Sequence, residues 1–431
     1  MDKNKRLTVW LPVIIAASIA LGIFIGNHYL SISQGKKRSY SSGNKINAIL
    51  DIIDEQYVDT VSMSKLVEST IPKIFSELDP HSVYIPAEDA SVVNEELEGS
   101  FSGIGVSFNM QTDTILVISV ISGGPAEKAG LLPFDRIISI NDSIFSGKKK
   151  NQGEIMKTLR GAKNSTVKLG VQRGNSPELL YFDVTRGDVP VNSVDVSYEA
   201  AKGIGYIKVS KFARNTYNEF ITAIAKLKQA GCTSFVIDLR GNTGGYMDAA
   251  INMINEFMPE GRLIVYTEGK SFPRSDVYAN GTGTCKDAPI VVLTDEISAS
   301  ASEIFSGAIQ DNDRGTIIGR RTYGKGLVQT QMSLSDGSEM RLTIARYYTP
   351  SGRCIQKKYE MGNTDAYDQD IYNRYMHGEF DSADSIKMDD SLKYQTVGGR
   401  TVYGGGGIMP DIFIPRDTSG VTSYYSNVVN S

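Results

Sequence analysis

The chain has 431 residues, of which 41% are hydrophobic and 22% charged, a composition typical of globular proteins rather than of disordered or fibrous chains. At roughly 150 residues per domain, this length predicts two or three domains. The 45 basic and 49 acidic side chains give a net charge of −4, which argues against the basic surface that general nucleic-acid binding requires.

Histidine and cysteine are scarce, which limits the reaction mechanisms, metal sites and disulfides that this chain can have. There are only three histidines, His28, His81 and His377, and they lie far apart in the sequence. A mechanism with a histidine base, or a site in which several histidines bind a metal, therefore has few candidates. The three cysteines are an odd number without CxxC spacing, which excludes a disulfide framework.

The first segment, residues 1–33, predicts a membrane anchor. Residues 9–26 are almost wholly apolar, which is long enough for a helix to cross a hydrocarbon core of roughly 30 Å. Basic residues precede this stretch, as in a signal peptide or a signal anchor. Because the stretch is longer than the core of a usual signal peptide and has no clean cleavage site, we favour an uncleaved transmembrane helix. Further basic residues at 36–38 weaken the signal for its orientation.

A polar linker and a helical arm follow over residues 34–97. Ile46, Ile49, Leu50 and Ile53 recur at helical spacing, and the pattern continues to about residue 78. The sequence DPHSVYIP (79–86) interrupts the arm.

Residues 98–187 consist of short β-rich runs separated by turns, which predicts a small β-rich domain. Between two of these runs, Pro125 begins a short helix that Gly130 ends. The segment GPAEKAGLLPFDRIISIND resembles the signature of a PDZ domain. The resemblance implies that the loop SGIGVSF (102–108) binds the terminal carboxylate of a peptide and that the next strand pairs with that peptide. The carboxylate would be held by the backbone N–H groups of Gly103, Ile104, Gly105 and Val106. By itself, GIG could equally be a simple strand-entry turn.

Residues 188–359 alternate apolar strands with helices, which predicts an α/β layer around a largely buried sheet. One candidate site is DEISASASEIFSGAI (295–309), which follows a buried strand. A serine at such a turn can be exposed above the sheet, beside the free N–H groups of a helix N-terminus. Ser300 and Glu303 also match a capping box, so Ser300 could simply cap the helix. Ser298 and Ser302 are available too, and the local sequence does not choose among the three serines.

The second candidate site is GRRTYGKGLVQTQ (319–331). In an extended strand Lys325 and Gln329 share one face, and a buried lysine can act as a general base when its pKa is lowered. The alternative is a solvated loop lysine. The spacing Gly319-x4-Gly324-Lys325 nearly matches a phosphate-binding loop, but Gly326 replaces the Ser/Thr that would bind Mg²⁺, which disfavours an NTPase.

Together the two motifs resemble those of the carboxyl-terminal processing (tail-specific) proteases, the PDZ-containing serine peptidases of the S41 type. The resemblance extends from about residue 45 to 415 and includes three further segments: DLRGNTGG (238–245), RYYTPSGRCIQ (346–356) and YGGGGIMPDI (403–412). It implies an α+β multidomain fold, in which an N-terminal transmembrane helix, a helical arm and a β-rich PDZ domain precede an α/β (crotonase/Clp-like) serine protease core.

The resemblance also implies roles for particular residues. Ser300 would be the nucleophile, Lys325 the general base and Gln329 the residue that orients the lysine. The oxyanion hole would use the N–H groups of Ala301 and of either Gly244 or Gly245. No histidine is placed for catalysis, and neither a metal nor another cofactor is required.

The function that follows is a membrane-anchored serine endopeptidase that cleaves near the exposed C-terminal tails of protein substrates. The PDZ domain would bind the tail and gate the site, and the arm is a candidate element for homodimerisation. The expected location is the inner (cytoplasmic) membrane, with a single pass and the catalytic part facing the periplasm or the outside. The alternative is a catalytically inactive PDZ scaffold that only binds tails, and the intact set of Ser300, Lys325 and Gln329 argues against it.

The C-terminal region, residues 360–431, is less informative. Its first part is acidic, rich in tyrosine and weakly periodic, which predicts a solvated peripheral insertion with His377 at the surface. Residues 400–415 are expected to return to the protease core as strand and turn.

Overall fold

The computed structural model describes residues 16–23, 42–111, 114–146 and 152–417. Of the predicted anchor, residues 1–33, only 16–23 are described, and they are helical. In this part of the chain no helix has both the length and the apolar character that crossing a bilayer demands. The chain forms two compact units, Met1–Thr70 and Ile71–Ser431.

The first unit contains the helix that the isoleucine spacing predicts, α1 (Ser42–Gln56). Helix α2 (Met63–Phe75) begins in this unit and ends in the second. In α1, Ile46, Ile49 and Ile52 are about half exposed.

The second unit continues with strand β1 (Val83–Ile85) and helix α3 (Ala87–Glu98). Strand β1 is antiparallel to residues 339–341, with Val83 opposite Arg341. The segment 79–86 is therefore more than an interruption of the predicted arm, because its strand pairs with residues of the region 188–359.

The β-rich region is built around one antiparallel sheet in the order β3-β4-β5-β7-β8, with β6 on β5. Its helices are α4 (Pro125–Ala129) and α5 (Gln152–Leu159). As predicted, Pro125 begins α4, and Gly130 ends it with a φ of +92°. Side chains of the sheet and of α5, such as Val117, Ile137 and Ile155, form its fully buried core. The strands are β2 (Ser100–Gly103), β3 (Val106–Gln111), β4 (Thr114–Val120), β5 (Arg136–Ile140), β6 (Ser143–Ile144), β7 (Thr166–Gln172), β8 (Leu180–Thr185) and β9 (Gly187–Pro190), and β2 pairs with β9.

The region that follows the β-rich region contains a six-stranded sheet in the order β10-β11-β12-β15-β16-β21. All neighbours are parallel except β10 and β11. Aromatic rings from the helices and the sheet pack edge to face around Phe257 at centroid distances of 6.2–6.4 Å. The strands are β10 (Val194–Ala201), β11 (Ile204–Val209), β12 (Ser234–Asp238), β15 (Ile290–Thr294), β16 (Thr316–Gly319) and β21 (Ile412–Phe413), and the helices are α6 (Thr216–Gln229), α7 (Met247–Asn255) and α8 (Ala301–Asp311).

A second sheet carries the lysine motif. Its strands are β1, β13 (Leu263–Glu268), β14 (Ser275–Tyr278), β17 (Leu327–Ser333) and β18 (Glu339–Tyr348). Strands β17 and β18 form a long antiparallel hairpin, and β1 and β13 pair with opposite ends of β18.

The C-terminal region contains helix α9 (Thr364–Met376), 3₁₀ turns at Ala383–Ser385 and Asp390–Leu392, and the hairpin of β19 (Lys393–Gln395) and β20 (Thr401–Tyr403). Most residues of α9 are exposed, which agrees with a peripheral insertion, but one side of the helix is packed, because Tyr367 and Arg374 are buried. Arg374 donates to the backbone carbonyls of Arg321 and Thr322 in the lysine motif. The buried side chains of α9 are polar-tipped, which hid this face from a search for apolar periodicity. His377 is exposed, and β21 returns to the sheet beside β16, both as predicted.

Candidate active site

Ser300 lies at the sharp turn between strand β15 and helix α8. Its backbone has φ +55° and ψ −113°, a conformation that residues other than glycine rarely adopt. Because β15 is parallel to both neighbours, the turn lies at the carboxyl edge of the sheet, where α/β proteins bind ligands. Ser300 is also the N-cap residue of α8, so capping the helix and facing the ligand edge are compatible in one residue.

The surroundings of the three candidate serines differ. The hydroxyls of Ser298 and Ser302 are fully buried, and each donates to a backbone carbonyl of the loop after β12, at 2.8 and 2.9 Å. Ser300 instead lines a cleft of about 660 Å³ together with Lys325 and Gln329. Of the three serines, Ser300 is therefore the one that shares a cleft with the candidate base.

The predicted contact between Lys325 and Gln329 is present. Lys325 Nζ donates to Gln329 Oε1 at 3.1 Å. Lys325 precedes the first residue of β17, and the pairing of β17 with β18 is irregular between Val328 and Gln329. The two side chains meet even though the lysine is not part of a regular strand.

Burial lowers the pKa of Lys325 from its ordinary value of 10.5. The Arg341 guanidinium, which lines the same cleft, lowers it further, whereas the carboxylates of Asp79 and Glu303 act in the opposite direction. A lowered pKa increases the fraction of neutral amine near pH 7, which is the form that can accept a proton.

The amide of Gln329 is oriented from its other side by His81. Gln329 Nε2 donates to the main-chain carbonyl of His81. Because a carbonyl can only accept, this contact leaves Oε1 of the amide to face Lys325. The His81 ring lies 2.8 Å from the Tyr367 hydroxyl, and burial lowers its pKa to about 4, so the ring is neutral near pH 7. Sequence reasoning missed the contact that the backbone carbonyl of His81 makes with Gln329.

Glu303 joins the two motifs. Its fully buried carboxylate accepts hydrogen bonds from the N–H groups of Ser300, Gly324 and Lys325 at 2.8–2.9 Å and from the Thr322 hydroxyl. Burial raises the pKa of Glu303 to about 7, although these hydrogen bonds act to lower it. The sequence predicted the capping box of Ser300 and Glu303, but nothing local to α8 reveals that the lysine loop donates to the same carboxylate.

Tyr347 makes a second connection between the motifs. Its ring is buried in the core, and its hydroxyl lies within hydrogen-bonding distance of the main-chain carbonyls of Ser300, at 3.1 Å, and Lys325. The backbones on which the nucleophile and base candidates stand are thus held together by one carboxylate and one phenol.

The glycine loop after β12 packs directly on the serine turn. A Cβ atom on Gly244 would lie 2.8 Å from Ser300 Cβ, and both Gly244 and Gly245 have positive φ angles, +103° and +138°. The Gly244 N–H donates to Asn242 Oδ1 at 2.8 Å. Ala301 is the first residue of α8, so its N–H has no acceptor within the helix. Ala301 and both glycines line the cleft.

Three of the four predicted tail-binding residues line a separate cavity of about 240 Å³ in the β-rich region. These are Ile104, Gly105 and Val106, and the apolar side chains of Phe108, Met156 and Leu159 lie around them. Gly103 pairs with Gly187 between β2 and β9 and is not among the lining residues. The cavity lies against strand β3 and helix α5, and its wall is mainly apolar.

Two sequence models of known families match the chain. The model of peptidase family S41 matches residues 203–365, and the model of the PDZ domain matches residues 102–195.

Curated relatives match over a longer range. The chain is 35% identical over 318 residues to the carboxy-terminal processing protease CtpB of Bacillus subtilis, with 73% of this chain and 66% of CtpB covered. It is 33% identical over 365 residues to a probable CtpA-like serine protease of Staphylococcus aureus, with 83% of this chain and 72% of the relative covered. Among solved structures, a photosystem II D1 C-terminal processing protease is 24% identical, with a TM-score of 0.43 and coverage of 87% of this chain and 94% of that chain.

Proposed function

Because this chain belongs to peptidase family S41, and within it to the carboxy-terminal processing serine proteases that carry a PDZ domain, we propose that it is an endopeptidase that cleaves near the C-terminal tails of protein substrates. The observation that carries the proposal is that Ser300, Lys325 and Gln329 line one cleft, with the lysine amine on the glutamine carbonyl oxygen.

In the proposed reaction Ser300 Oγ attacks the scissile carbonyl, and neutral Lys325 accepts the hydroxyl proton. The resulting ammonium donates this proton to the leaving amine, which releases the tail and leaves an acyl-enzyme on Ser300. Water then attacks the ester with Lys325 again as the base, and the acid product and free Ser300 are formed. The lowered pKa of Lys325 supports this assignment, because the base must be neutral when the reaction starts.

The oxyanion would be held by backbone N–H groups. Ala301 offers an uncommitted N–H at the helix N-terminus, and a donor of this kind contributes roughly 3 kcal/mol to transition-state stabilisation. Of the two glycines we assign the second donor to Gly245, because the Gly244 N–H is bonded to Asn242.

The PDZ domain would select the tail, and it would keep the cleft closed or misaligned until a tail is bound. The cavity beside Ile104, Gly105 and Val106 has apolar walls, which supports a preference for tails that end in an apolar side chain.

We further propose that residues 1–33 anchor the protein in the inner (cytoplasmic) membrane and that the catalytic part faces the outside. We also propose that the arm, residues 34–97, forms a homodimer contact.

The Ser–Lys assignment is tested by proteolysis of a protein substrate with an apolar tail. We expect Ser300→Ala and Lys325→Ala each to lower kcat/KM by at least about 1,000-fold, because each removes a group that takes part in bond making. The matched control is Lys358→Ala, an exposed lysine that does not line the cleft, and it should cleave normally. Cleavage at the normal rate by either active-site variant would refute the mechanism. Tail binding without any cleavage by the unmodified protein would instead indicate an inactive PDZ scaffold.

A further inference from the structure

The turn Asp79–Ser82, which precedes strand β1, is closed by its own acidic side chain. Asp79 Oδ1 accepts the N–H groups of His81 and Ser82 at 3.0 and 3.1 Å, and Oδ2 accepts the Ser82 hydroxyl. Burial acts to raise the pKa of Asp79, but the hydrogen bonds outweigh it and the pKa is lowered from 3.8. The carboxylate is therefore ionised near pH 7 and can hold all of these donors at once.

The same turn is fastened to strand β18 beside Gln329. Thr343 donates its N–H to Ser82 Oγ at 3.1 Å and its hydroxyl to Asp79 Oδ1 at 2.9 Å. Thr343 is also the residue opposite Gln329 across the β17–β18 pair. The turn is thus attached to the partner strand at the position of the glutamine, with the His81 carbonyl at the glutamine amide nitrogen.

The His81 ring connects the turn to the loop that carries the lysine. It lies 2.8 Å from the Tyr367 hydroxyl, which is 3.3 Å from Gln356 Nε2. Gln356 Oε1 in turn accepts the N–H of Gly326, at 2.7 Å, and this glycine directly follows the candidate base. One turn therefore reaches Gln329 directly and, through two buried side chains, the residue that follows Lys325.

We infer that the Asp79–Ser82 turn is a positioning element that fixes the amide orientation of Gln329 and thereby the direction of the lone pair of Lys325. This inference rests on the proposed function. A neutral amine has one lone pair, and when one of its N–H groups donates to Gln329 Oε1, the lone pair is free to accept the proton of Ser300. If the amide were rotated, its Nε2–H would donate to that lone pair and compete with the serine.

The test is the steady-state kinetics of Asp79→Asn in the full chain, with a fluorogenic tail peptide as substrate. Asp79→Asn also removes a charge that raises the pKa of Lys325, so kcat is read on the plateau above the acidic limb of its pH profile. There we expect kcat to fall about 10- to 100-fold with KM within about twofold, because the base is misdirected. The matched control is Asp336→Asn: Asp336 closes a similar turn in the same β17–β18 hairpin by accepting the N–H and hydroxyl of Ser338 at 3.0 and 2.6 Å. This variant should keep the normal kcat, which separates a general loosening of the hairpin from an effect on the glutamine.

A double-mutant cycle with Gln329→Ala tests the route of the effect. In the Gln329→Ala background, Asp79→Asn should lower kcat by less than about twofold, because its target is gone. An equal loss in both backgrounds, or a normal kcat for Asp79→Asn beside an impaired Gln329→Ala, would overturn the inference alone. A normal kcat for Gln329→Ala would contradict the proposed mechanism and the inference with it. If thermal melting shows that Asp79→Asn is unfolded, Thr343→Val removes the hydroxyl that donates to Asp79 while the backbone bond to Ser82 stays, and the same outcomes apply.

Discussion

Lys325 must be neutral to act as the base in the proposed reaction, and its surroundings decide at which pH it becomes so. Burial and the Arg341 guanidinium lower its pKa, while Asp79 and Glu303 counteract them. A proton acceptor with a lowered pKa gains activity as the pH rises through that pKa. The acidic limb of the profile of kcat/KM against pH therefore reports the charge balance around this one amine.

Replacing Arg341 with methionine should move that acidic limb to higher pH. The substitution removes a positive neighbour, so the ammonium form of Lys325 becomes easier to keep and its pKa rises. The measurement is kcat/KM across the pH range, which reports ionisations of the free enzyme. The control is Arg346→Met on the same strand, since Arg346 does not line the cleft. An unchanged or more acidic limb for Arg341→Met would contradict this account of the lysine.

At the scale of elements, the site depends on four segments that meet: the turn before α8, the loop after β12, the start of β17 and the turn before β1. Glu303 and Tyr347 connect the first to the third, and His81 connects the third to the fourth. Helix α9 supports the same assembly from outside, through Arg374 on the lysine loop. A site built in this way is sensitive to movements of whole elements, as gating by a PDZ domain would require.

The gating hypothesis makes a prediction for the cavity of the β-rich region that lies against β3 and α5, which is the proposed groove for the tail. A fluorogenic peptide too short to occupy this groove should be cleaved faster when a separate apolar-tailed peptide is added, because the bound tail opens the cleft. Met156→Asp places a charge in the apolar groove and should weaken tail binding at least about 10-fold, so the stimulation disappears while the basal rate remains. The control Lys157→Asp changes an exposed residue of the same helix that does not line the groove. A Met156→Asp protein that is still stimulated would contradict gating through this groove.

At the scale of the whole molecule, the proposed membrane anchor makes a prediction about where residues 45–431 lie. The apolar segment 9–26 and the basic residues before it favour an anchor with residues 45–431 outside the cytoplasm. In intact cells stripped of their outer layer, added protease should then digest residues 45–431 while a cytoplasmic marker protein survives. Protection of residues 45–431 alongside the marker would show that the catalytic part lies in the cytoplasm.

The sequence by itself determined the candidate catalytic residues and most of the helices and strands. Scarce histidines, serines at a strand-to-helix turn and a lysine four residues before a glutamine made a Ser–Lys site one candidate, and the resemblance to the S41 peptidases then implied the roles of Ser300, Lys325 and Gln329. Helices and strands were predictable because their signals are local, since the period of apolar residues is set within a few turns of chain. The short helix between Pro125 and Gly130 was predictable from its start and end residues, which are local signals too.

Only the tertiary structure decided how these groups are arranged. The family resemblance had already pointed to Ser300, and the fold supplies the physical difference, because the hydroxyls of Ser298 and Ser302 are bonded to a distant loop. The orientation of Gln329 depends on a carbonyl that lies 248 residues away in the sequence, and the contact of α9 with the lysine loop depends on the polar side chain of Arg374, which no apolar period reveals. Such contacts form when distant segments pack together, and a local pattern contains no information about which segment will supply the partner.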